Sequence, residues 1–238
     1  GKKNDGNNFI KESLDKGASF AVVNKIDRST KVSKQLLVKD SLKSLTNIAK
    51  KVRLNSLAKV IAITGSCGKT SLKELLGNIF GKISKVSYSP KSYNNKYGVP
   101  LSIFNINKHD DFNIFEIGMD KKGEIDLLSK IIKPDVGVIT NISYAHAKNF
   151  KNLNQIANAK SEIINNINSN GSIVLNADDI FFKKHKKIAL KKNLKIYSFS
   201  LRKPNTNVCI KKIIKLKNKY KILININKKQ KIFFIKSI

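Results

Sequence analysis

Residues 63–71 read ITGSCGKTS and combine residue types that bind the phosphates of a nucleotide. Glycines let backbone N–H groups approach phosphate oxygens, and a following helix N-terminus favours negative charge. Lys69 adds a point charge, and the Thr70 hydroxyl can bind Mg²⁺. The spacing departs from the standard P-loop, because Ile63 stands five residues before Gly68, where that pattern has glycine. We predict a phosphate-binding loop; the alternative is a glycine turn that contains GKT by chance.

Two more polar residues follow apolar runs further along the chain. Glu116 ends the run NIFEIG, where an unpaired buried carboxylate would be costly. A Mg²⁺ ion held partly by Thr70 and by nucleotide phosphates would compensate that carboxylate, whereas the alternative is a surface glutamate at a strand end. His146 lies in the polar stretch NISYAHAKNF, and a lone loop histidine is usually only solvated.

A lysine occupies a core-facing position in the segment LNQIANAKSEIINNI, residues 153–167. If this segment is a helix, its apolar residues form one stripe that also contains Lys160. Burial would lower the pKa of this lysine and make a neutral amine accessible, and a neutral amine near Mg²⁺ can take up CO₂ as a carbamate. The alternative is that the stem packs while the ammonium reaches water.

The elements that would position these residues alternate regularly from Lys59 onward. Apolar strands are predicted at 59–64, 113–118, 135–140 and 171–176, with helices at 70–80, 123–132 and 153–167 between them. Strands that are apolar throughout indicate a parallel, doubly wound α/β sheet covered by helices on both faces. Ligands bind beyond the carboxyl ends of such strands, so the candidate residues should meet at one edge.

The two ends of the chain differ from this central pattern. Residues 1–57 mix short apolar runs with a helical pattern and are predicted to be part of a small α/β N-terminal domain, followed by a nucleotide-binding domain at 58–238. The last residues read as one or more strands with a basic solvent face. No apolar run approaches the roughly 18 residues that a membrane span requires. Cys67 and Cys209 lack metal-ligand spacing, so we expect a reducing compartment, the cytoplasm.

The net charge of +31 is compatible with binding to nucleic acid or to an anionic membrane. The alternative is a compositional bias towards lysine, asparagine and isoleucine that leaves a solvated basic face. Residues 180–238 contain 18 lysines and Arg202 but no acidic residue, and these lysines alternate with Ile and Phe instead of forming a block. We therefore do not expect nucleic acid as a partner, and we expect a monomer.

Five motifs in order resemble the central ATP-binding domain of the Mur ligase family. They are TGSCGKTS, SYNNKYGVPLSIF, EIGMDKKGEIDLLSKIIKPDVGVITNISYAHAKNF, IANAKSEI and VLNADD, and they run from about residue 59 to residue 179. The most similar type is the MurF type, which adds D-alanyl-D-alanine, and DGNNFIKESLDKGASFAVV resembles the end of the uridine-nucleotide-binding domain of that type. The resemblance implies a truncated chain that lacks the C-terminal domain, and catalysis that needs more than this chain.

The resemblance also implies roles for individual residues. The ATP phosphates would be held by Gly65, Ser66, Gly68, Lys69, Thr70 and Ser71, and adenine would meet Asn176. One Mg²⁺ would lie on Thr70 and Glu116, and a second on His146 and a carbamylated Lys160. Asn94 and Asn95 would face the UDP-linked substrate, and catalysis would depend on Lys69, His146 and Lys160. Asp178 and Asp179 are expected only to cap the following helix.

The reaction implied by the resemblance is ATP-dependent amide-bond formation in peptidoglycan precursor synthesis. UDP-N-acetylmuramoyl-tripeptide would be activated as an acyl phosphate and then attacked by the amine of D-alanyl-D-alanine. Three other interpretations stay open: a Mur-type ligase that adds a different amino acid, a nucleotide-regulated module that binds nucleic acid through its basic face, and an inactive remnant that binds ATP without turnover.

Overall fold

The computed structural model describes residues 5–144 and 149–236. Its contacts divide the chain into two units, residues 1–51 and 52–238, so the division falls a few residues before the boundary expected at 57/58. The first unit contains 3-10 helices at Gly6–Phe9 and Val32–Lys34 and helix α1 at Ile10–Asp15. Its strands β1 (Ala21–Val23) and β2 (Gln35–Leu37) pair in parallel. Helix α2 (Ser41–Leu54) begins in this unit and ends in the second.

The second unit alternates strands and helices as the sequence predicts. Its strands are β3 (Lys59–Thr64), β4 (Val86–Tyr88), β5 (Phe112–Glu116), β6 (Val136–Ile139), β7 (Ser172–Asn176), β8 (Lys195–Ser200), β9 (Val208–Lys215), β10 (Lys219–Ile226) and β11 (Lys229–Lys236). Its helices are α3 (Lys69–Phe80), α4 (Gly98–Phe104), α5 (Glu124–Ile132), α6 (Leu153–Asn165) and α7 (Phe182–Lys191).

These strands form one sheet in the order β11-β10-β9-β8-β7-β6-β3-β5-β4. The pairs from β4 to β9 are parallel, and β9, β10 and β11 pair antiparallel. The predicted doubly wound, mostly parallel α/β sheet is confirmed. Strands β4 and β8 were not predicted; β4 has only three residues, all half-buried, and therefore leaves no apolar run in the sequence.

Helices cover the parallel strands on two faces because the crossover connections run along the sheet in two directions: through α3 from β3 to the edge strand β4, and then back. Ile61, Ile63, Ile114 and Val138 form a core cluster against Leu72, Leu76 and Phe80 of α3. The connections through α5, α6 and α7 run from β5 towards β8, the opposite way along the sheet, and right-handed crossovers put them on the other face. The reversal leaves a crevice between the carboxyl ends of β3 and β6, where doubly wound sheets bind ligands.

The antiparallel end of the sheet carries the basic face that the sequence predicts. Every residue of β11 is exposed, including Lys229, Lys231 and Lys236, and the apolar Phe233 and Phe234 are also largely exposed. In the described part of the chain, no helix combines the length and the hydropathy needed to cross a membrane.

Candidate active site at the carboxyl edge of the sheet

The predicted phosphate loop connects β3 to α3 directly at the crevice. Gly65 has a φ of +147° and lies against β6, where a Cβ atom at this position would come within 1.8 Å of Thr140 Oγ1. Gly68 has a φ of 78° and precedes α3 as its N-cap residue, without a side-chain cap. The first N–H groups of an α-helix have no acceptor within the helix. The loop therefore presents backbone donors where an anion can bind, and both glycines are required by geometry.

The loop that follows β6 fixes the shape of the phosphate loop through several hydrogen bonds. Asn141 Oδ1 accepts from the Cys67 N–H at 2.9 Å, and the Asn141 carbonyl accepts from the Ser66 N–H at 2.9 Å. The Ser66 hydroxyl accepts from the Ser143 N–H at 2.8 Å, and the Thr140 hydroxyl donates to the Cys67 carbonyl at 2.6 Å. Ser66 therefore shapes the loop with its side chain.

Lys69 lies at the start of α3 and points back into the loop. Its ammonium donates to the Gly65 carbonyl at 3.0 Å and contacts the Ser66 carbonyl at 3.4 Å. Only 9% of the residue is exposed. These contacts hold the ammonium of Lys69 within the loop between β3 and α3. Ser71, two residues further along α3, is exposed.

Lys160 reaches the same backbone carbonyl from helix α6. Its ammonium donates to the Gly65 carbonyl at 3.0 Å, and the residue is 1% exposed. Burial, and then repulsion from the Lys69 ammonium, lower the pKa of Lys160 from its ordinary value of 10.5 to about 8. The alternative in which this ammonium reaches water is therefore wrong. A neutral amine is therefore accessible here at mildly alkaline pH.

Glu116 ends β5 beside the first turn of α3 and is 1% exposed. One carboxylate oxygen accepts from the Thr70 hydroxyl at 2.7 Å, and the other accepts from the Asn94 side-chain amide at 2.7 Å. The surface-glutamate alternative is wrong, because the carboxylate is buried and hydrogen-bonded on both oxygens. Thr70 and Glu116 thus come together as predicted, with Asn94 on the same carboxylate.

Two other predicted site residues, Asn95 and Asn176, accept hydrogen bonds from the backbone of their own turns. Asn95 Oδ1 accepts from the N–H groups of Tyr97 at 3.0 Å and Gly98 at 2.9 Å, which fixes the turn before α4. Asn176 Oδ1, at the end of β7, accepts from the Asp178 N–H at 3.0 Å. His146 lies outside the described residues. Within those residues, no group of three or more His, Cys, Asp or Glu side chains could hold a metal ion.

Asp178 and Asp179 have contacts other than the helix capping expected from the sequence. Helix α7 has no side-chain cap, so that expectation is wrong. Asp178 accepts from the Ser200 hydroxyl and the Leu201 N–H, both at 2.6 Å, and links β7 to the end of β8. Asp179 Oδ2 accepts from the Ile142 N–H at 2.7 Å. Through this bond Asp179 supports the loop after β6, which contacts Ser66 and Cys67.

Sequence reasoning also missed Lys73, which lies one turn after Lys69 on α3 and is 0% exposed. Its ammonium donates to the Ser89 carbonyl at 2.7 Å and to the Lys91 carbonyl, and it pairs with Glu74 at 2.9 Å. These bonds hold the segment that follows β4 and leads to Asn94. The spacing of four from Lys69 on one helix face was the available signal.

A cavity of about 400 Å³ opens beside Lys69. Its wall consists of residues 94–97, residues 118–120 and the first turns of α5, including Leu127 and Leu128. Ligand sites are typically concave, with apolar walls and a few polar groups. The cavity therefore offers space for a ligand next to the loop between β3 and α3.

Comparison with known proteins agrees with this geometry. The family model described as Mur ligase middle domain matches residues 63–237. UDP-N-acetylmuramoyl-tripeptide--D-alanyl-D-alanine ligase of Buchnera aphidicola subsp. Baizongia pistaciae is 36% identical over 206 residues, which cover 87% of this chain and 44% of that protein. The ligase of the same name from Rickettsia prowazekii is 38% identical over 198 residues, covering 82% and 44%.

Solved structures of similar proteins have the same fold. MurF from Acinetobacter baumannii superposes with a TM-score of 0.87 at 30% identity, covering 98% of this chain and 50% of that one. MurF ligase from Thermotoga maritima in complex with ADP gives 0.85 at 28% identity, covering 99% and 53%. The chain thus spans about half the length of the relatives it matches. With a matched domain that covers most of its residues and this fold, the chain belongs to the Mur ligase middle-domain family.

Proposed function

We propose that this chain is the nucleotide-binding part of an ATP-dependent ligase that joins D-alanyl-D-alanine to UDP-N-acetylmuramoyl-tripeptide. The observation that carries the proposal is the meeting of Lys69, Lys160 and the Thr70–Glu116 pair around one loop at the carboxyl edge of the sheet. The names of the relatives support the choice of substrates.

The phosphate loop would bind the triphosphate of ATP. Lys69 is held within the loop by its bonds to the Gly65 and Ser66 carbonyls, and the N-terminal N–H groups of α3 face the same space. Phosphoryl transfer depends mainly on positioning and on neutralising negative charge. Lys69 supplies a positive charge whose position is already fixed by hydrogen bonds, and because only 9% of the residue is exposed, little water must reorganise around it.

The Thr70–Glu116 pair fits a Mg²⁺ ion. Both groups offer oxygen, they lie 2.7 Å apart, and the carboxylate is buried. Mg²⁺ prefers oxygen ligands and usually takes the rest from phosphates and water, so one carboxylate and one hydroxyl suffice from the protein. Bound there, the ion would neutralise charge on the phosphates. Asn94 would orient the carboxylate by its bond to the second oxygen.

Lys160 would act as a carbamate, together with His146, on a second Mg²⁺. The support is its burial and its lowered pKa of about 8, because only the neutral amine reacts with CO₂. The carbamate would replace a buried positive charge by a negative one beside Lys69, which removes the repulsion between the two ammonium groups.

Both Asn94 and Asn95 would face the UDP-linked substrate.

The proposed ligation would proceed in two steps. A carboxylate oxygen of the tripeptide attacks the γ-phosphorus of ATP, and the bond to ADP breaks. The amine nitrogen of D-alanyl-D-alanine then attacks the acyl carbon, the bond to phosphate breaks, and the nitrogen loses its proton to solvent. The described residues contribute no nucleophile to either step; Lys69 binds and neutralises the transferred phosphoryl group.

Phosphate release by the full-length protein tests the proposal. The assay contains ATP, Mg²⁺, UDP-N-acetylmuramoyl-tripeptide and D-alanyl-D-alanine, and we expect release only when both acyl and amine substrates are present. Lys69→Met should lower the rate by roughly 100-fold or more, because a preorganised charge at the transition state is lost. Release that does not depend on the tripeptide would contradict the proposal. Replacing D-alanyl-D-alanine by other amino compounds tests the alternative that the ligase adds a different amino acid.

Lys160→Ala tests the carbamate separately. We expect loss of rate in the variant and a higher wild-type rate when bicarbonate is added to CO₂-depleted buffer. Lys130→Ala is the matched control, since Lys130 is a largely exposed helical lysine paired with Asp126 at 2.6 Å. A Lys160→Ala rate equal to that of the control would contradict the role of Lys160 as a metal ligand.

A further inference from the structure

The Thr64 hydroxyl, at the end of β3, is buried without a hydrogen-bond partner in the described part of the chain. The residue is 0% exposed, so bulk water does not reach it. Buried polar side chains in native proteins nearly always have a partner, because an unpaired hydroxyl loses its bonds to water and gains none in return. This hydroxyl is therefore a candidate contact for a group attached to the site beside it.

The alternation of side chains along β3 places this hydroxyl on the face that helix α6 covers. Ile61 and Ile63 pack against α3 on one face of the sheet. Successive side chains of a strand point to opposite faces, so Thr64 points to the other one. Lys160 reaches from α6 to the carbonyl of the next residue, Gly65, at 3.0 Å. The hydroxyl and the Lys160 nitrogen therefore approach the same point of the strand end from the same face.

The surroundings of the Lys160 nitrogen suit a group with a single N–H donor. An ammonium carries three donors. Within the described residues one acceptor is available to it, the Gly65 carbonyl, and the residue is 1% exposed. A carbamate nitrogen keeps one N–H, which this carbonyl satisfies, and the two carbamate oxygens accept hydrogen bonds. The Thr64 hydroxyl is a donor that one of these oxygens can use.

We propose that the Thr64 hydroxyl donates a hydrogen bond to an oxygen of the Lys160 carbamate and holds the modified side chain in one orientation. The assignment rests on the carbamate of the proposed function and adds a positioning residue to it. A hydrogen bond to a charged oxygen is stronger than one between neutral groups. Thr64 would therefore favour the carbamate over the free amine.

The modification itself needs only CO₂ as co-reactant. The lone pair of the neutral Lys160 amine forms a bond to the carbon of CO₂, and one carbon–oxygen π bond breaks with its electrons moving to oxygen. The nitrogen then loses one proton to solvent. An amine and CO₂ thus give a carbamate and a proton, without any oxidant or reductant.

Uptake of ¹³CO₂ by the full-length protein tests the role of Thr64 directly. Carbamate formation is followed by ¹³C NMR while ¹³C-bicarbonate is increased at fixed pH with Mg²⁺ present, without nucleotide or tripeptide. Lys160→Met identifies the carbamate signal by its loss. We expect Thr64→Val to raise the bicarbonate concentration at half-occupancy by about tenfold or more, the effect of one charge-assisted hydrogen bond.

Two further variants make the comparison specific to the hydroxyl. Thr64→Ser keeps it and should stay within about threefold of the wild type at half-occupancy. Thr46→Val is the matched control, because Thr46 is a half-buried threonine in α2 that donates to the Leu42 carbonyl at 2.8 Å. If Thr64→Val does not fold, Thr64→Ala carries the same expectation for ¹³CO₂ uptake.

Urea unfolding adds a measurement that a purely structural role of Thr64 would not explain. In CO₂-depleted buffer Thr64→Val removes an unpaired buried hydroxyl, so its unfolding midpoint should equal or exceed that of the wild type. Added bicarbonate should raise the midpoint of the wild type, because CO₂ that reacts with the folded state stabilises it. The same addition should raise the midpoint of Thr64→Val less.

The outcomes separate the levels of inference. A wild-type carbamate signal with the same half-occupancy in Thr64→Val overturns the role of Thr64 alone, and so does a Thr64→Val midpoint below the wild type in CO₂-depleted buffer. The absence of a wild-type carbamate signal overturns the Lys160 carbamate and this inference with it. Phosphate release that does not depend on the tripeptide overturns the ligase function, whereas the ¹³CO₂ result, obtained without substrates, is independent of it.

Discussion

Lys73→Met should destabilise the second unit substantially, although Lys73 is not one of the proposed site residues. Methionine retains the unbranched apolar stem and a good helix propensity, so the change removes mainly the ammonium. In the structure this ammonium is 0% exposed and donates to the carbonyls of Ser89, at 2.7 Å, and Lys91. Both acceptors lie in the segment that leads to Asn94.

The expected magnitude follows from these contacts. Each hydrogen bond from a charged donor contributes roughly 1.5–3 kcal/mol, so losing two costs roughly 3–6 kcal/mol. The ion pair with Glu74, whose side chain is 42% exposed, adds little. Relief from burying the ammonium offsets part of the loss, and we expect a net decrease of roughly 2–3 kcal/mol in the free energy of unfolding. For a domain of this size that is roughly 4–12 °C in Tm.

Urea unfolding followed by circular dichroism measures the change, since the chain has no tryptophan for fluorescence. Lys130→Met is the control, because Lys130 is exposed and should change stability by less than about 0.5 kcal/mol. Amide hydrogen exchange should also rise in residues 89–97 but not in β7. A Lys73→Met stability within about 0.5 kcal/mol of wild type would refute the reasoning, because the buried ammonium would then contribute nothing net.

Two further predictions concern the phosphate loop. Between about pH 8 and pH 10.5, the unfolded chain binds more protons at Lys160 than the folded chain. The free energy of unfolding of the wild type should therefore rise across this range by roughly 3 kcal/mol more than that of Lys160→Met, and parallel urea titration curves would contradict this. Gly65→Ala should abolish nucleotide binding in equilibrium dialysis with ATP, because its Cβ would lie 1.8 Å from Thr140 Oγ1. Gly123→Ala, at φ +88° with no atom within 4 Å, should cost only about 1–2 kcal/mol and retain binding; equal effects would refute the steric argument.

The sequence predicted the parallel part of the fold well because the signals there are local. The strands β3 and β5 are buried nearly throughout, with an apolar run in each, and the helices between them carry regular apolar stripes. Strands β4 and β8 were missed because their burial is only partial and their sequences show no clear period. Their place in the sheet depends on long-range pairing with β5 and β7.

The candidate site could be predicted in part for the same reason. Lys69, Thr70 and Glu116 follow strands whose carboxyl ends must meet in a parallel sheet, so their proximity follows from topology. Lys160 was recognisable as a buried cation from its place in an apolar stripe, but the sequence left open whether its ammonium reaches water. Lys73 was missed and Asp179 was expected only to cap a helix, because the partners of both side chains are backbone groups distant in the chain.

By itself, the sequence determined a doubly wound α/β unit with a glycine-containing loop between its first strand and the following helix, because hydrophobic period and glycine spacing are properties of neighbouring residues. Only the tertiary structure decided which groups share an acceptor. It placed Lys69 and Lys160 on the Gly65 carbonyl and buried Lys160, and this burial, followed by repulsion from Lys69, lowers the pKa of Lys160. It also placed Thr70 on Glu116. Such contacts depend on side-chain directions at a crevice between separate strands, and local patterns carry no information about those directions.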